Sequence, residues 1–87
     1  MNYRVVWDVS AYRELERIWS EAEPVHPYLN AFDEIDSLLS VDAHEQGESR
    51  PDGRRILIVS PLGVLFRAQP RLLETHVLQV WSISRRK

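Results

Sequence analysis

The stretch RRILIVSPLGVLFRAQPRLLETHVLQVWSI, residues 54–83, decides the fold of this chain. It consists of three apolar, largely β-branched or aromatic runs, separated at Pro61-Leu62-Gly63 and at Pro70-Arg71. Runs of this kind, bounded by Pro and Gly, are typical of strands joined by tight turns. The stretch therefore predicts a three-stranded antiparallel meander over residues 54–60, 64–69 and 74–83.

The preceding residues predict a strand and two helices. Residues 3–7, YRVVW, are aromatic and β-branched, which favours a strand. Apolar residues then recur with a helical period on either side of Pro24 and Pro27. The first stripe is Ala11, Leu15, Ile18, Trp19 and Ala22, and the second is Tyr28, Leu29, Phe32, Ile35 and Leu39. Residues 42–53 lack periodicity and predict an exposed loop.

The order strand, two helices, three strands predicts an α+β domain over residues 1–87. Each amphipathic helix must bury its apolar stripe, so we expect a helical hairpin packed on one face of the sheet. The other sheet face is then open to solvent or to a partner.

Alternation along the strands predicts which residues lie on that open face. On the middle strand, Val64, Phe66 and Ala68 are expected to face the helices, and Leu65, Arg67 and Gln69 the open side. Strict alternation on the last strand places Glu74, His76, Leu78, Val80 and Ser82 on one face, and Thr75, Val77, Gln79, Trp81 and Ile83 on the other. Neither face is cleanly polar, which predicts a central strand. Trp7, Trp19 and Trp81 are predicted to be core residues.

Composition limits the classes of site. The 87 residues contain no cysteine, which excludes disulfides and thiolate metal ligands. The three histidines are too scattered to indicate zinc. We therefore expect no metal and no cofactor. No apolar run approaches the roughly 20 residues that span a bilayer, and the N-terminus lacks a signal-peptide pattern. These features predict a cytoplasmic protein without membrane contact.

Charge is divided unevenly along the chain. Residues 1–49 hold three basic and eleven acidic residues, a balance of −8, whereas residues 50–87 hold eight basic and two acidic residues, a balance of +6. The net charge of −2 hides this asymmetry. A basic meander predicts a surface for an anionic partner, although a solvated basic face is the alternative.

The element order, the length and the pattern R-x-L-x-V-x-P-L-G-V-L-F-R of residues 55–67 resemble the RelE/ParE superfamily. These are the toxins of bacterial type II toxin–antitoxin, or plasmid-stabilisation, systems. The resemblance implies a cognate antitoxin as partner. It also implies one of two activities: mRNA cleavage on the ribosome as an endoribonuclease, or inhibition of DNA gyrase without catalysis. A degenerate relative that only binds an antitoxin is the third alternative.

The resemblance also assigns candidate site residues and leaves open whether the chain is an enzyme. RelE-like ribonucleases commonly read Tyr-Arg-x-x-Tyr at the start of the middle strand, and here Gly63 stands in place of the arginine. The candidates for a rebuilt catalytic site are Arg55, Arg67 and Arg85, with His76 as a weaker candidate whose alternative is a structural role. The candidates for binding nucleic acid or antitoxin are Arg54, Arg55, Arg67, Arg86 and Lys87.

Overall fold

The computed structural model of the protein describes residues 2–83. Within them the chain forms, in order, β1 (Arg4–Trp7), α1 (Val9–Glu21), α2 (His26–Leu39), β2 (Glu48–Ser49), β3 (Arg54–Val59), β4 (Leu62–Gln69) and β5 (Glu74–Ser82). Short 3-10 turns lie at Ala43–Glu45, Pro51–Gly53 and Pro70–Leu72. The predicted order of strand, two helices and meander is confirmed.

The strands of the described residues form one five-stranded sheet in the order β1-β5-β4-β3-β2. Consecutive strands β2 to β5 pair antiparallel, whereas β1 pairs with β5 in parallel. β5 therefore lies between β1 and β4, which confirms the prediction of a central strand that was drawn from its two faces of mixed polarity.

The segment predicted as an exposed loop contains an edge strand, so that prediction is wrong for β2. Glu48 and Ser49 pair with Ile56 and Arg55. Gly47 makes the approach possible, because it has a φ of +69° and a Cβ there would lie 2.1 Å from the Ile56 carbonyl oxygen. Only a residue without a side chain fits this turn.

The first hairpin of the meander is tighter than predicted. Val59 pairs with Leu62, so only Ser60 and Pro61 lie between β3 and β4. Leu62 and Gly63, which the sequence placed in the turn, are the first residues of β4. Position 63 is consequently part of the sheet and faces a neighbour on β5.

The core lies between the helices and one face of the sheet. α1 packs against β5, and α2 packs against β3 and β4. The predicted helix stripes are largely buried, but Leu29 is exposed and the smaller Ala31 takes a core position instead. The buried apolar cluster comprises Ala11, Leu15, Ile18, Ala31, Ile35, Leu39, Ala43, Leu57, Leu62, Val64, Phe66, Val77 and Val80. Val64 and Phe66 thus face the helices, as predicted.

A β-bulge in β5 changes the faces predicted for that strand. Phe66 pairs with Val77 and Leu65 pairs with Gln79, which leaves Leu78 as the extra residue. A bulge reverses the alternation beyond it. Val77 and Val80 are therefore both in the core, and the face assignment by strict alternation is wrong after Val77.

Candidate basic site on the open sheet face

Three nitrogen-bearing side chains stand side by side across three strands. Arg54 on β3 pairs with Arg67 on β4, and Arg67 pairs with His76 on β5. Their neighbours Phe66 and Val77 are in the core, so the three side chains lie on the open face. Because adjacent strands are about 4.8 Å apart, this basic row (Arg54, Arg67 and His76) spans about 10 Å.

Asp52, in the turn before β3, compensates the positive charge of the two arginines of the basic row. Like charges directly opposite on a sheet destabilise it unless they are compensated. Arg67 Nη2 donates a hydrogen bond to the Asp52 backbone carbonyl at 2.9 Å, and Arg54 Nη2 lies 3.9 Å from Asp52 Oδ2. Asp52 contacts both arginines from a left-handed backbone conformation, with a φ of 70°.

Each arginine of the row has a shielded Nε–H group without a hydrogen-bond partner in the part of the chain that the structure describes. The Nε–H groups of Arg54 and Arg67 are shielded from solvent and have no hydrogen-bond partner among residues 2–83. Buried donors are nearly always paired in folded proteins. Two adjacent guanidinium groups on the open face are chemically suited to an anion, either a phosphate or a carboxylate.

His76 belongs to a second chain of contacts on the same face. Its Nε2 lies 2.8 Å from Glu74 Oε1, and Arg4 from β1 forms an ion pair with the other carboxylate oxygen. A carboxylate only accepts, so the imidazole donates from Nε2 and its neutral form keeps Nδ1 as the acceptor. The hydrogen bonds from His76 and Arg4 hold the pKa of the Glu74 carboxyl below its usual value.

Arg55 lies away from the basic row. It pairs with Phe66 and so points to the helix side of the sheet. Its Nε donates to the Gln46 carbonyl at 2.6 Å, and its Nη2 donates to the Gly47 carbonyl at 3.1 Å. These bonds hold the loop before β2 against the sheet. Arg55 and Arg67 are both candidates for the same catalytic site in the sequence analysis, but the structure places them on opposite faces of the sheet.

Three other candidates, Arg85, Arg86 and Lys87, lie outside the described residues. Among residues 2–83, no group of three or more His, Cys, Asp or Glu side chains is placed to hold a metal ion. Within the same residues, no helix is long and apolar enough to cross a membrane.

The sequence reasoning missed the role of Trp81. Trp7 and Trp19 pack on the core beside Phe32, as predicted, but Trp81 follows the bulge and lies on the open face. Trp81 pairs with Gly63, and a Cβ built on Gly63 would lie 2.6 Å from both Cε2 and Nε1 of the indole. The prediction of Trp81 as a core residue is therefore wrong. Its ring occupies the space in which a side chain at position 63 would lie.

Solved structures share this arrangement of helices and strands. The fold matches the chromosomal ParDE toxin–antitoxin system of P. aeruginosa with a TM-score of 0.73, at 20% identity over 94% of this chain and 97% of that one. The chain has the fold of the RelE and ParE toxins. The RelBE2 toxin–antitoxin complex of Mycobacterium tuberculosis also matches with a TM-score of 0.73, at 20% identity over 94% of this chain and 99% of that one.

The isolated E. coli RelE toxin matches with a TM-score of 0.68, at 15% identity over 98% of this chain and 88% of that one. No protein-family model matches the sequence, and no curated protein matches it.

Position 63 lies at the start of β4, beneath Trp81. It is the position to which the resemblance assigns the arginine of RelE-like ribonucleases. Here glycine occupies it and the indole of Trp81 fills the space above it. Arg67 is four residues further along β4, about 13 Å away on the same face.

Proposed function

We propose that this chain is the toxin of a type II toxin–antitoxin pair, that it acts in the cytoplasm, and that it arrests growth by binding its target rather than by cutting RNA. The contact between Trp81 and Gly63 is the observation that supports action by binding rather than by RNA cleavage. Its bound antitoxin would meet the basic row, because carboxylates satisfy arginine donors well. DNA gyrase is the target that fits a toxin of the ParE type.

The chemistry of RNA cleavage explains why the Trp81 contact matters. Attack by a 2′-oxygen develops negative charge on the phosphate, which fixed cations must stabilise at that point. A base and an acid must also stand within hydrogen-bond reach of the reacting oxygens. An arginine cannot enter the sheet at position 63 while Trp81 lies over it, and the Nε2 of His76 is engaged by Glu74.

Ribosome-dependent mRNA cleavage is the second candidate function. The basic row supports it, because two arginines stand side by side on the open face and His76 stands beside them. For this activity, the arginines of the basic row would bind the phosphate near the end of β4, whereas the resemblance places the usual arginine at its start. The two candidates agree on the toxin and on the antitoxin, and they differ only in the activity.

One set of experiments separates these activities. The chain would be induced alone and together with the protein encoded by the neighbouring reading frame, and growth would be followed. Arrest that the neighbour relieves supports the toxin, and absence of arrest at confirmed expression contradicts it. Purified protein would then be assayed for gyrase-dependent supercoiling and for mRNA cleavage on stalled ribosomes. We expect inhibited supercoiling and intact mRNA.

Arg67→Ala distinguishes a functional role of the basic row from a general effect of charge. Arg71→Ala is the matched control, because Arg71 is an exposed arginine of the turn between β4 and β5. We expect Arg67→Ala to weaken antitoxin binding at least tenfold and Arg71→Ala to leave it unchanged. Cleavage of mRNA that Arg67→Ala abolishes would support the second candidate instead.

A further inference from the structure

A segment of ten residues, 44–53, crosses the edge of the sheet beside the basic row, and we call it the strap. None of these residues is buried, so the strap contributes nothing to the core. Two of its residues pair with β3 as β2, and next to them the Arg50 N–H donates to the Arg54 carbonyl at 2.7 Å. A segment with so few buried contacts has a low free energy of local opening.

One attachment of the strap lies on the helix side of the sheet and is made by Arg55. The Arg55 Nε donates to the Gln46 carbonyl at 2.6 Å, and its Nη2 donates to the Gly47 carbonyl at 3.1 Å. Both acceptors are backbone groups, so Arg55 holds the chain of the strap rather than its side chains.

The other attachment lies on the open face and is made by Asp52. Its backbone carbonyl accepts from Arg67 Nη2, and its carboxylate lies 3.9 Å from Arg54 Nη2. The Asp52 side chain is 74% exposed, so this contact is a surface ion pair, which contributes little stability by itself. An anion that binds both arginines can therefore displace it.

Asp52 engages the nitrogens that such an anion needs. A guanidinium binds an anion at two points through parallel N–H groups, either Nε with Nη2 or Nη1 with Nη2. The Nε–H groups of Arg54 and Arg67 are shielded from solvent, which leaves the terminal pair of each arginine. Because Asp52 lies against Nη2 of both, two-point binding at either arginine requires that Asp52 move away.

We infer that the strap is an autoinhibitory element, which masks the basic row until an anion displaces Asp52. Anion binding then frees the open-face end of the strap, while β2 and Arg55 continue to hold the rest. Linkage makes this effect reciprocal, so loosening the strap raises the affinity of the basic row for an anion. The inference rests on the binding role proposed for the basic row and adds the regulation of that row.

The test is an NMR titration of the isotope-labelled full chain with inorganic pyrophosphate, combined with amide hydrogen exchange. The signals of Arg54 and Arg67 report binding, and exchange of the Arg50 amide reports opening of the strap. The Ile83 amide, which donates to the Pro61 carbonyl at the other end of the meander, is the internal control. We expect saturating pyrophosphate to accelerate exchange at Arg50 at least threefold and to leave exchange at Ile83 unchanged.

Asp52→Asn tests the masking itself. Asparagine removes the carboxylate charge and tolerates the left-handed backbone at this position. We expect pyrophosphate to bind Asp52→Asn about threefold to fivefold more tightly than the wild type. Asp42→Asn is the matched control, because Asp42 also has a left-handed backbone, with a φ of 50°, and lies outside the strap. Its affinity should stay within about twofold of the wild type.

Arg55→Lys tests the reciprocal effect from the opposite face of the sheet. Lysine keeps the charge but loses the fork that holds two carbonyls of the strap. We expect pyrophosphate to bind this variant about twofold to fivefold more tightly, because the strap opens more readily. Arg50→Lys is the matched control, since the Arg50 guanidinium donates to Ser49 and Glu48 within the strap, and its affinity should not change. Retained dispersion of the amide spectrum would establish that the variants fold.

Three results would overturn the inference. Pyrophosphate would shift the Arg54 and Arg67 signals without faster exchange at Arg50, or either variant would bind pyrophosphate no more tightly than its matched control. Absence of binding to both the wild type and Asp52→Asn would instead contradict the binding role of the basic row, and the inference with it. A tetraglutamate peptide in a parallel titration shows whether carboxylates release the strap as phosphates do, and release by either anion supports the inference. These readouts use purified protein and are independent of growth arrest and of gyrase inhibition.

Discussion

Gly63→Ala is the most informative substitution in this chain because it adds a single methyl group beneath the indole of Trp81, at the position to which the resemblance assigns an arginine. That group would lie 2.6 Å from the indole of Trp81, a distance that real Cβ contacts do not show. The neighbouring atoms belong to a half-buried side chain and not to backbone. The indole must therefore move away from the sheet.

The cost follows from two opposing effects. Adding a methyl group to a packed site typically costs about 1–3 kcal/mol. Alanine in a strand interior is about 0.5–1 kcal/mol better than glycine. We expect Gly63→Ala to lower the free energy of unfolding by about 1 kcal/mol, the middle of the difference between these ranges, which corresponds to a fall in melting temperature of about 4–8 °C for a domain of this size.

The assay is urea denaturation followed by far-UV circular dichroism, in a double-mutant cycle with Trp81→Ala. Removing the indole removes the contacts at 2.6–2.8 Å that the added methyl group would meet, so Gly63→Ala should then stabilise the protein by about 0.5–1 kcal/mol. The sign of the effect is thus expected to reverse between the two backgrounds. The slope of the transition should stay constant in all four proteins, because the surface exposed on unfolding barely changes.

A Gly63→Ala effect of equal size in both backgrounds would refute this reasoning. It would mean that residue 63 is glycine for a backbone reason and that Trp81 does not occupy the space above it. The steric argument against an arginine at this position would then no longer hold.

Three further substitutions test other contacts. Arg55→Ala should lower the free energy of unfolding by about 1–3 kcal/mol, because it removes two hydrogen bonds that hold the loop before β2. The control Arg13→Ala, on the surface of α1, should change the free energy of unfolding by less than about 0.5 kcal/mol. Equal effects of the two substitutions in urea denaturation would contradict a structural role for Arg55. Thr75→Val removes a buried hydroxyl that donates to a helix carbonyl at 2.9 Å and should cost about 1–3 kcal/mol, and a neutral result by thermal denaturation would show that this bond is dispensable. The folded-state pKa of Glu74 is lowered, so its contribution is present above the ordinary carboxyl pKa of 4.5 and is lost as the pH falls through the lowered value. Glu74→Gln should therefore flatten the acid side of a stability–pH profile, and an unchanged acid limb would contradict the assignment.

Local sequence patterns predicted much of the fold. The helical period of the two stripes predicted α1 and α2, and the three apolar runs predicted β3, β4 and β5. Alternation on β4 correctly placed Val64 and Phe66 toward the helices and Arg67 on the open face. These predictions succeed because helix and strand periods are properties of consecutive residues.

Only tertiary pairing decided the composition of the candidate site. The extra residue Leu78 reverses the alternation of β5, and this bulge exists only in relation to β4. It brings Trp81 over Gly63 and leaves His76 beside Arg67. Arg54 and Arg55 are indistinguishable as neighbours in the sequence, yet one joins the basic row and the other holds a loop on the opposite face.

Residue patterns along the chain specify the element types, the apolar layer between helices and sheet, and a basic charge balance in the meander. The tertiary structure decided where β1 pairs, which arginines share a face and what fills the space at position 63. The physical reason is the range of the interactions. Periodicity and charge are set by neighbours along the chain, whereas register, bulges and close packing depend on residues that meet only after the strands pair.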